Sequence, residues 1–278
     1  MTEITAHHGL FKDTNLYVDD TGGAGRPVVL IHGWPLSGEA FSAQVPALQE
    51  AGYRVVTYDR RGFGRSDKPR SGYSYDTLSE DLNALMEQLD LSDVTLVGFS
   101  MGGGEVARYL STHGSARVRS AVFASAVPPY LLQTDDNPDG PLTKEAAATM
   151  TADLTKDDDT FYDGFTTQFF SADGVLQVTE QQRQDALAVC KQADKKAALE
   201  CMAAFGSTDF REDLTKVTVP VLVLHGDSDA VVAFAGSGAR THAALAGSEL
   251  HVIAGGPHGC NVSHTQEWNQ ALIGFLAK

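Results

Sequence analysis

Ser100 stands at the centre of Gly98-Phe99-Ser100-Met101-Gly102, directly after the apolar run Val94-Thr95-Leu96-Val97 and before the helix-forming stretch Gly103 to Leu110. A G-x-S-x-G pentapeptide between a strand and a helix puts a serine hydroxyl on a sharp turn at a sheet edge. The flanking glycines leave room for strained backbone dihedrals, and the helix N-terminus beyond favours developing negative charge. A serine hydroxyl is a weak nucleophile at neutral pH, so acyl transfer through it needs a general base and an orienting acid. Both residue types follow in chain order: Asp229 in His225-Gly226-Asp227-Ser228-Asp229, and His258 in Gly255-Gly256-Pro257-His258-Gly259.

Each role has a rival. Asp227 lies in the immediate strand-end turn, where an Asp more often bonds its own backbone, so Asp229 is favoured. His225 and His32 lie at strand ends and read as buried hydrogen-bonding residues rather than bases, while His7 and His8 precede the first expected element. Negative charge on a carbonyl oxygen calls for two backbone donors. The amide of Met101, after the nucleophile, supplies one. His32-Gly33-Trp34-Pro35 supplies the other from the amide of Trp34, because Pro35 has none to give. Trp34, Phe99, Met101, Tyr130 and Cys260 are expected around the substrate, with Leu131, Phe161, Phe165, Phe169 and Phe170 as further apolar wall.

The elements that must deliver these residues alternate. Strands are expected over 15–19, 27–33, 53–58, 94–98, 118–126, 220–226 and 249–253. Helices are expected over 41–51, 77–89, 100–112, 236–245 and 267–276, on apolar positions three and four apart. That rhythm is the pattern of a doubly wound α/β sheet with helices on both faces, whose loops converge at the carboxyl ends of the strands. It breaks after Pro128-Pro129. From there to Leu214 the chain reads as helical pieces over 144–154, 158–170, 180–189 and 193–204 with no strong strand, so 1–127 and 215–278 form the expected core and 128–214 an inserted helical cap. Asp59 to Ser74 reads as a polar, turn-rich loop.

Composition limits the partners. The 278-residue chain carries a formal charge of −15 and no Lys/Arg cluster, which argues against nucleic acid and anionic membrane. No stretch approaches the roughly 18 apolar residues of a membrane span. The first residues lack the pattern of a secretory leader, and Cys190, Cys201 and Cys260 match neither a disulfide framework nor a zinc site, so a cytoplasmic protein without metal or cofactor is expected.

The blocks His32-Gly33-Trp34-Pro35-Leu36-Ser37-Gly38, Tyr58 to Pro69, Leu96 to Tyr109, HGDSD and GGPHG, in this order, resemble the α/β-hydrolase superfamily and, within it, the cofactor-free haloperoxidases and arylesterases, also called perhydrolases. The resemblance implies a mostly parallel eight-stranded sheet with the cap inserted after the sixth strand. It implies Ser100 as nucleophile, Asp229 as acid, His258 as base and the amides of Trp34 and Met101 as the oxyanion hole. The implied substrates are small aryl and alkyl esters, with lactones or lactams as the alternative; water or hydrogen peroxide accepts the acyl group, and association into homo-oligomers is expected. A non-catalytic receptor on the same fold is the reading from a different class. Two departures stand out: Ala230-Val231-Val232-Ala233 lacks the proline that relatives place after the valine, and Cys260 stands where relatives carry a bulkier apolar residue.

Overall fold

Short runs of β-branched and aliphatic residues set the architecture. The computed structural model describes residues 2–7 and 13–278. The strands of the main sheet are β1 (Thr2–Ala6), β2 (Thr14–Asp20), β3 (Pro27–Ile31), β4 (Arg54–Tyr58), β5 (Val94–Phe99) and β6 (Val118–Ala124), then, after a long excursion, β9 (Val221–Gly226) and β10 (Glu249–Ile253). They lie in the order β1-β2-β4-β3-β5-β6-β9-β10. β1 and β2 pair antiparallel, as do β2 and β4, and every other neighbouring pair is parallel. All six residues of β5 and of β9 are buried, which is why these strands are continuously apolar rather than alternating.

Both faces are covered by α1 (Gln44–Glu50), α2 (Tyr75–Gln88), α3 (Met101–Thr112), α9 (Gly238–Ala244), α10 (Cys260–Ser263) and α11 (Thr265–Leu276). α2 turns Leu78, Leu82, Leu85 and Met86 inward at helical spacing, and α11 buries Trp268, Leu272 and Leu276. Between β6 and β9 lie α4 (Lys144–Lys156), α5 (Asp158–Phe169), a two-stranded hairpin of β7 (Ser171–Ala172) and β8 (Val175–Leu176), α6 (Glu180–Cys190), α7 (Lys195–Ser207) and α8 (Arg211–Thr215). Thr143, Asp157, Thr179 and Asp194 cap the first turns of α4 to α7 by accepting backbone N–H groups, each worth about 1 kcal/mol. Among the described residues no helix is long and apolar enough to cross a membrane.

Three expectations need correction. β1 was not foreseen: its five residues gain stability only by pairing with β2, a register that periodicity does not carry. His7 therefore follows a strand, 2.9 Å from Asp13, and His8 lies outside the described residues. The expected helix over 41–51 begins at Gln44 behind a separate 3₁₀ turn, Gly38–Phe41, because the side chains of Ser37 and Asp59 accept the N–H groups of Glu39 and Gly38 and fix that turn on their own.

The 59–74 stretch is a loop, yet its first residues are interior. Asp59 and Arg60 have no solvent exposure and Arg61 has 3%. Arg60 Nε donates to Glu105 Oε2 of α3 at 2.9 Å, Tyr58 Oη donates to Glu105 Oε1, and Arg60 Nη2 donates to the carbonyl of His32 at 2.8 Å. Burial opposes charge on Arg60, and the Glu105 carboxylate, Tyr58 and Cys201 together outweigh that. Breaking a buried pair of this kind costs more than forming it gains. Replacing Glu105 by Ala is expected to lower unfolding free energy by about 3–5 kcal/mol in urea titrations, because Arg60 is left charged and uncompensated.

Candidate active site

β5 ends in a strained turn at Ser100, which has φ 54° and ψ −119°, a conformation L-residues rarely adopt. Its amide donates to the Ala124 carbonyl at 2.8 Å, and its carbonyl accepts from Gly103 and Val127, so β5, α3 and the end of β6 together hold the strain. The glycines at 98 and 102 are required by close approach: a Cβ at Gly98 would stand 2.5 Å from the Gly102 carbonyl oxygen, and one at Gly102 2.4 Å from that of Ile31.

Three strand ends then meet. Ser100 follows β5, Asp229 follows β9 and His258 follows β10. Ser100 Oγ lies 3.0 Å from His258 Nε2, and His258 Nδ1 lies 2.6 Å from Asp229 Oδ2. A carboxylate beside Nδ1 makes that nitrogen the donor, so Nε2 is the acceptor facing the Ser100 hydroxyl. Asp229 Oδ1 accepts the amides of Val231 at 2.9 Å and Val232 at 2.7 Å. Burial would raise the Asp229 carboxyl, but the charge of His258 and hydrogen bonds from His225 and His258 outweigh it and hold the group well below the usual carboxylate range. It is therefore ionised throughout the neutral range. Asp227 is instead occupied with the amide of Gly255 at 2.7 Å, and His32 is tied to the Gly33 carbonyl and the Arg60 amide. Burial and the Arg60 charge push His32 down to about 3, which keeps it neutral.

Phe99 and Phe169 enclose the imidazole of His258, with ring centroids at 5.2 and 5.0 Å. Trp34 is pinned from above: its indole N–H donates to the Ala198 carbonyl of α7 at 2.9 Å, and Phe161, Phe165 and Phe205 meet its ring edge-on. Met101 follows Ser100 directly and Trp34 lines the same cavity as Ser100, and neither backbone amide takes an acceptor among the described residues.

A cavity of about 80 Å³ opens on Ser100, walled by Trp34, Leu131, Phe205, Val232 and other apolar side chains. Pro141, Leu142, Met150, Phe165 and Val231 also line a wider opening of about 670 Å³, so these side chains border both. Of the expected lining residues, Trp34, Leu131 and Phe165 face this cavity. Phe99, Met101, Tyr130 and Cys260 do not: Phe99 faces His258, Met101 is buried at the start of α3, Tyr130 lies under the Arg211 guanidinium, and Cys260 is packed against Ser125. Val231, Val232, Leu142, Met150 and Phe205 were missed. Only the first two carried a signal, as the apolar pair directly after Asp229. The three cysteines are buried free thiols, and among the described residues no three His, Cys, Asp or Glu side chains gather around a metal position.

Strain at Ser100 gives a test independent of chemistry. Ser100→Gly and Ser100→Ala both lack the hydroxyl, but only glycine adopts φ 54° freely, so the Gly variant is expected to be more stable than the Ala variant by about 1–3 kcal/mol in chemical unfolding.

The alpha/beta hydrolase fold family profile matches residues 26–265. A bromoperoxidase crystal structure from Bacillus anthracis superimposes with a TM-score of 0.95 at 50% identity, covering 100% of this chain and 99% of that one. A non-heme chloroperoxidase of Kitasatospora aureofaciens is 43% identical over 92% of this chain and 94% of its own length, and a bifunctional esterase/perhydrolase of Acinetobacter calcoaceticus is 35% identical over 94% and 96%. With this sheet order, this elbow and these relatives, the chain belongs to the α/β-hydrolase fold family and, within it, to the cofactor-free haloperoxidase and esterase family, and it is a serine-hydrolase-type enzyme.

Proposed function

We propose that Ser100, His258 and Asp229 are the nucleophile, general base and orienting acid for cleavage of small carboxylic esters, with the amides of Trp34 and Met101 as the oxyanion hole. The observation that carries this reading is the unbroken hydrogen-bonded line from Ser100 Oγ through His258 to Asp229, with Ser100 opening on an apolar cavity of about 80 Å³. As Ser100 Oγ bonds to the ester carbon, its proton passes to His258 Nε2, and the tetrahedral oxyanion is held by the two amides. Collapse of that adduct breaks the ester C–O bond, and His258 returns the proton to the departing alcohol. The helical insertion of 128–214 acts as the cap that shelters the acyl-enzyme.

Water then gives a proton to His258 Nε2 and attacks the acyl carbon, releasing a carboxylic acid and restoring the Ser100 hydroxyl. Hydrogen peroxide in the same place releases a peracid, which leaves the site and oxidises halide in solution. The relatives with peroxidase and esterase/perhydrolase names support both acceptors on one site. The buried free thiols fit a reducing compartment such as the cytoplasm.

Ser100→Ala is expected to lower kcat for p-nitrophenyl acetate by about 10⁴-fold or more and to abolish labelling by a fluorophosphonate probe. Bromination of monochlorodimedone in acetate buffer with hydrogen peroxide should disappear in the same variant. Retained ester hydrolysis would reject Ser100 as nucleophile, whereas retained bromination alone would reject the shared acyl-enzyme.

The small cavity sets the acyl group. Leu131→Ala enlarges its wall and should raise kcat/KM for the hexanoate ester relative to the acetate ester by about tenfold, the worth of one to two accommodated methylenes. A side-by-side chain-length series from acetate to octanoate measures it.

A further inference from the structure

Asp229 has a second imidazole against it. His225, in β9, is fully buried, and its Nε2 lies 2.8 Å from the Val232 carbonyl oxygen and 3.2 Å from Asp229 Oδ2. Both neighbours are acceptors, so the ring proton resides on Nε2, bonded to the Val232 carbonyl with the carboxylate beside it. The opposite nitrogen, Nδ1, is buried without a partner among the described residues, and a Cβ at Gly238 would stand 2.5 Å from it, so a proton placed there would find no acceptor among them. Phe234 covers the ring at 5.5 Å.

The charged and titratable groups around this pair are few. On the far side of Asp229 stand His258 and Cys260, the latter a thiol that burial pushes up to about 12 and so keeps neutral. Arg240, on the α9 helix that packs on β9, is turned away toward the carbonyls of Tyr130 and Gly236 and the Asn137 side chain. Asp229 is therefore met by four N–H groups: two amides and the His258 imidazole hydrogen-bonded to it, and the His225 Nε2 3.2 Å from Oδ2.

We infer that His225 is a positioning residue for the proposed reaction: its Nε2–H ties Asp229 Oδ2 to the Val232 carbonyl, fixing the carboxylate edge that faces His258 and sharing its charge. This rests on the reading of Asp229 as the orienting acid. Each donor to a carboxylate makes it less basic. With one donor fewer on Oδ2, the carboxylate binds the imidazolium form of His258 more strongly, and the unprotonated base is lost at higher pH. The freed carboxylate also gains rotational freedom, which lowers turnover without touching the substrate cavity.

The test is the pH profile of kcat/KM for p-nitrophenyl acetate in His225→Leu, His225→Gln and Asp229→Asn. In His225→Leu the acid limb should move up by about 0.5 pH unit or more, and kcat should fall while KM stays near the parent value. His225→Gln, which returns an N–H donor close to the Nε2 position, should bring the limb back. An unmoved limb in His225→Leu, beside a loss of about 10⁴-fold in Asp229→Asn, overturns the role of His225 and leaves the acid assignment standing. Full activity in Asp229→Asn overturns the acid assignment itself. Nitrogen-15 NMR of the unmodified protein decides the matter even if the Leu variant fails to fold: His225 should show a bare Nδ1 and a protonated Nε2 across the acid limb. An Nδ1-protonated ring would overturn the inference.

Discussion

A carboxylate out of contact with water is expensive unless donors replace its hydration, and the geometry around Ser100 depends on one. Asp229 meets that demand with two amides of its own turn and two imidazoles. The turn can supply the amides only because the residues after Asp229 curl back over it, and the same curl sends Val231 and Val232 into the wall of the cavity. A requirement of electrostatics and a requirement of substrate shape are thus met by one short segment. The missing proline after Val232 leaves this arrangement intact: Ala233 sits at φ −55°, within the range a proline ring would impose.

The second constraint is that the parts of the site on different layers hold a common frame. Arg60 bridges the carbonyl of His32 and Glu105 of α3, so the loop bearing Trp34 and the helix that starts beside Ser100 are cross-linked beneath the site. Above it, α7 takes the Trp34 indole N–H, and the amide of Gly259 donates to the Phe169 carbonyl at 2.8 Å, tying the end of α5 to the loop of His258. The insertion therefore touches two of the loops that carry proposed functional groups. Rigid support of this sort is what oriented amides need if they are to stabilise an oxyanion without reorganising.

The sequence carried the site because strand ends are legible: a buried run that stops in glycine marks the place where a reactive side chain emerges, as at Ser100, and short apolar strands likewise precede Asp229 and His258. Side-chain destinations were less legible. Phe99 alternates with Ser100 across the strand end, and nothing in its spacing tells that it turns to His258 rather than to the cavity. Arg60 lies in a stretch that reads as a polar loop and Glu105 in one that reads as a helix, and only the fold reveals that they pair at zero exposure. The approach of His225 to Asp229 depends on how the intervening turn bends. The strand β1 depended on a partner strand, and the cavity wall on where α4 and α7 lie, which helical periodicity leaves open.

Those walls also bear on the proposed choice of acyl acceptor. Apart from Ser100, the described side chains around the cavity are aliphatic, aromatic or thioether groups, with no charged residue among them. Such a surface discriminates by size, and an apolar pocket rejects poorly a molecule that differs only by an added hydroxyl. Hydrogen peroxide is water with one oxygen more, and either can give a proton to His258 Nε2 and attack the same carbon. Excluding peroxide would take a polar group placed to pair with water and left unpaired by peroxide. The cavity has none, so on the proposed chemistry the partition between acid and peracid follows the supply and reactivity of the two acceptors.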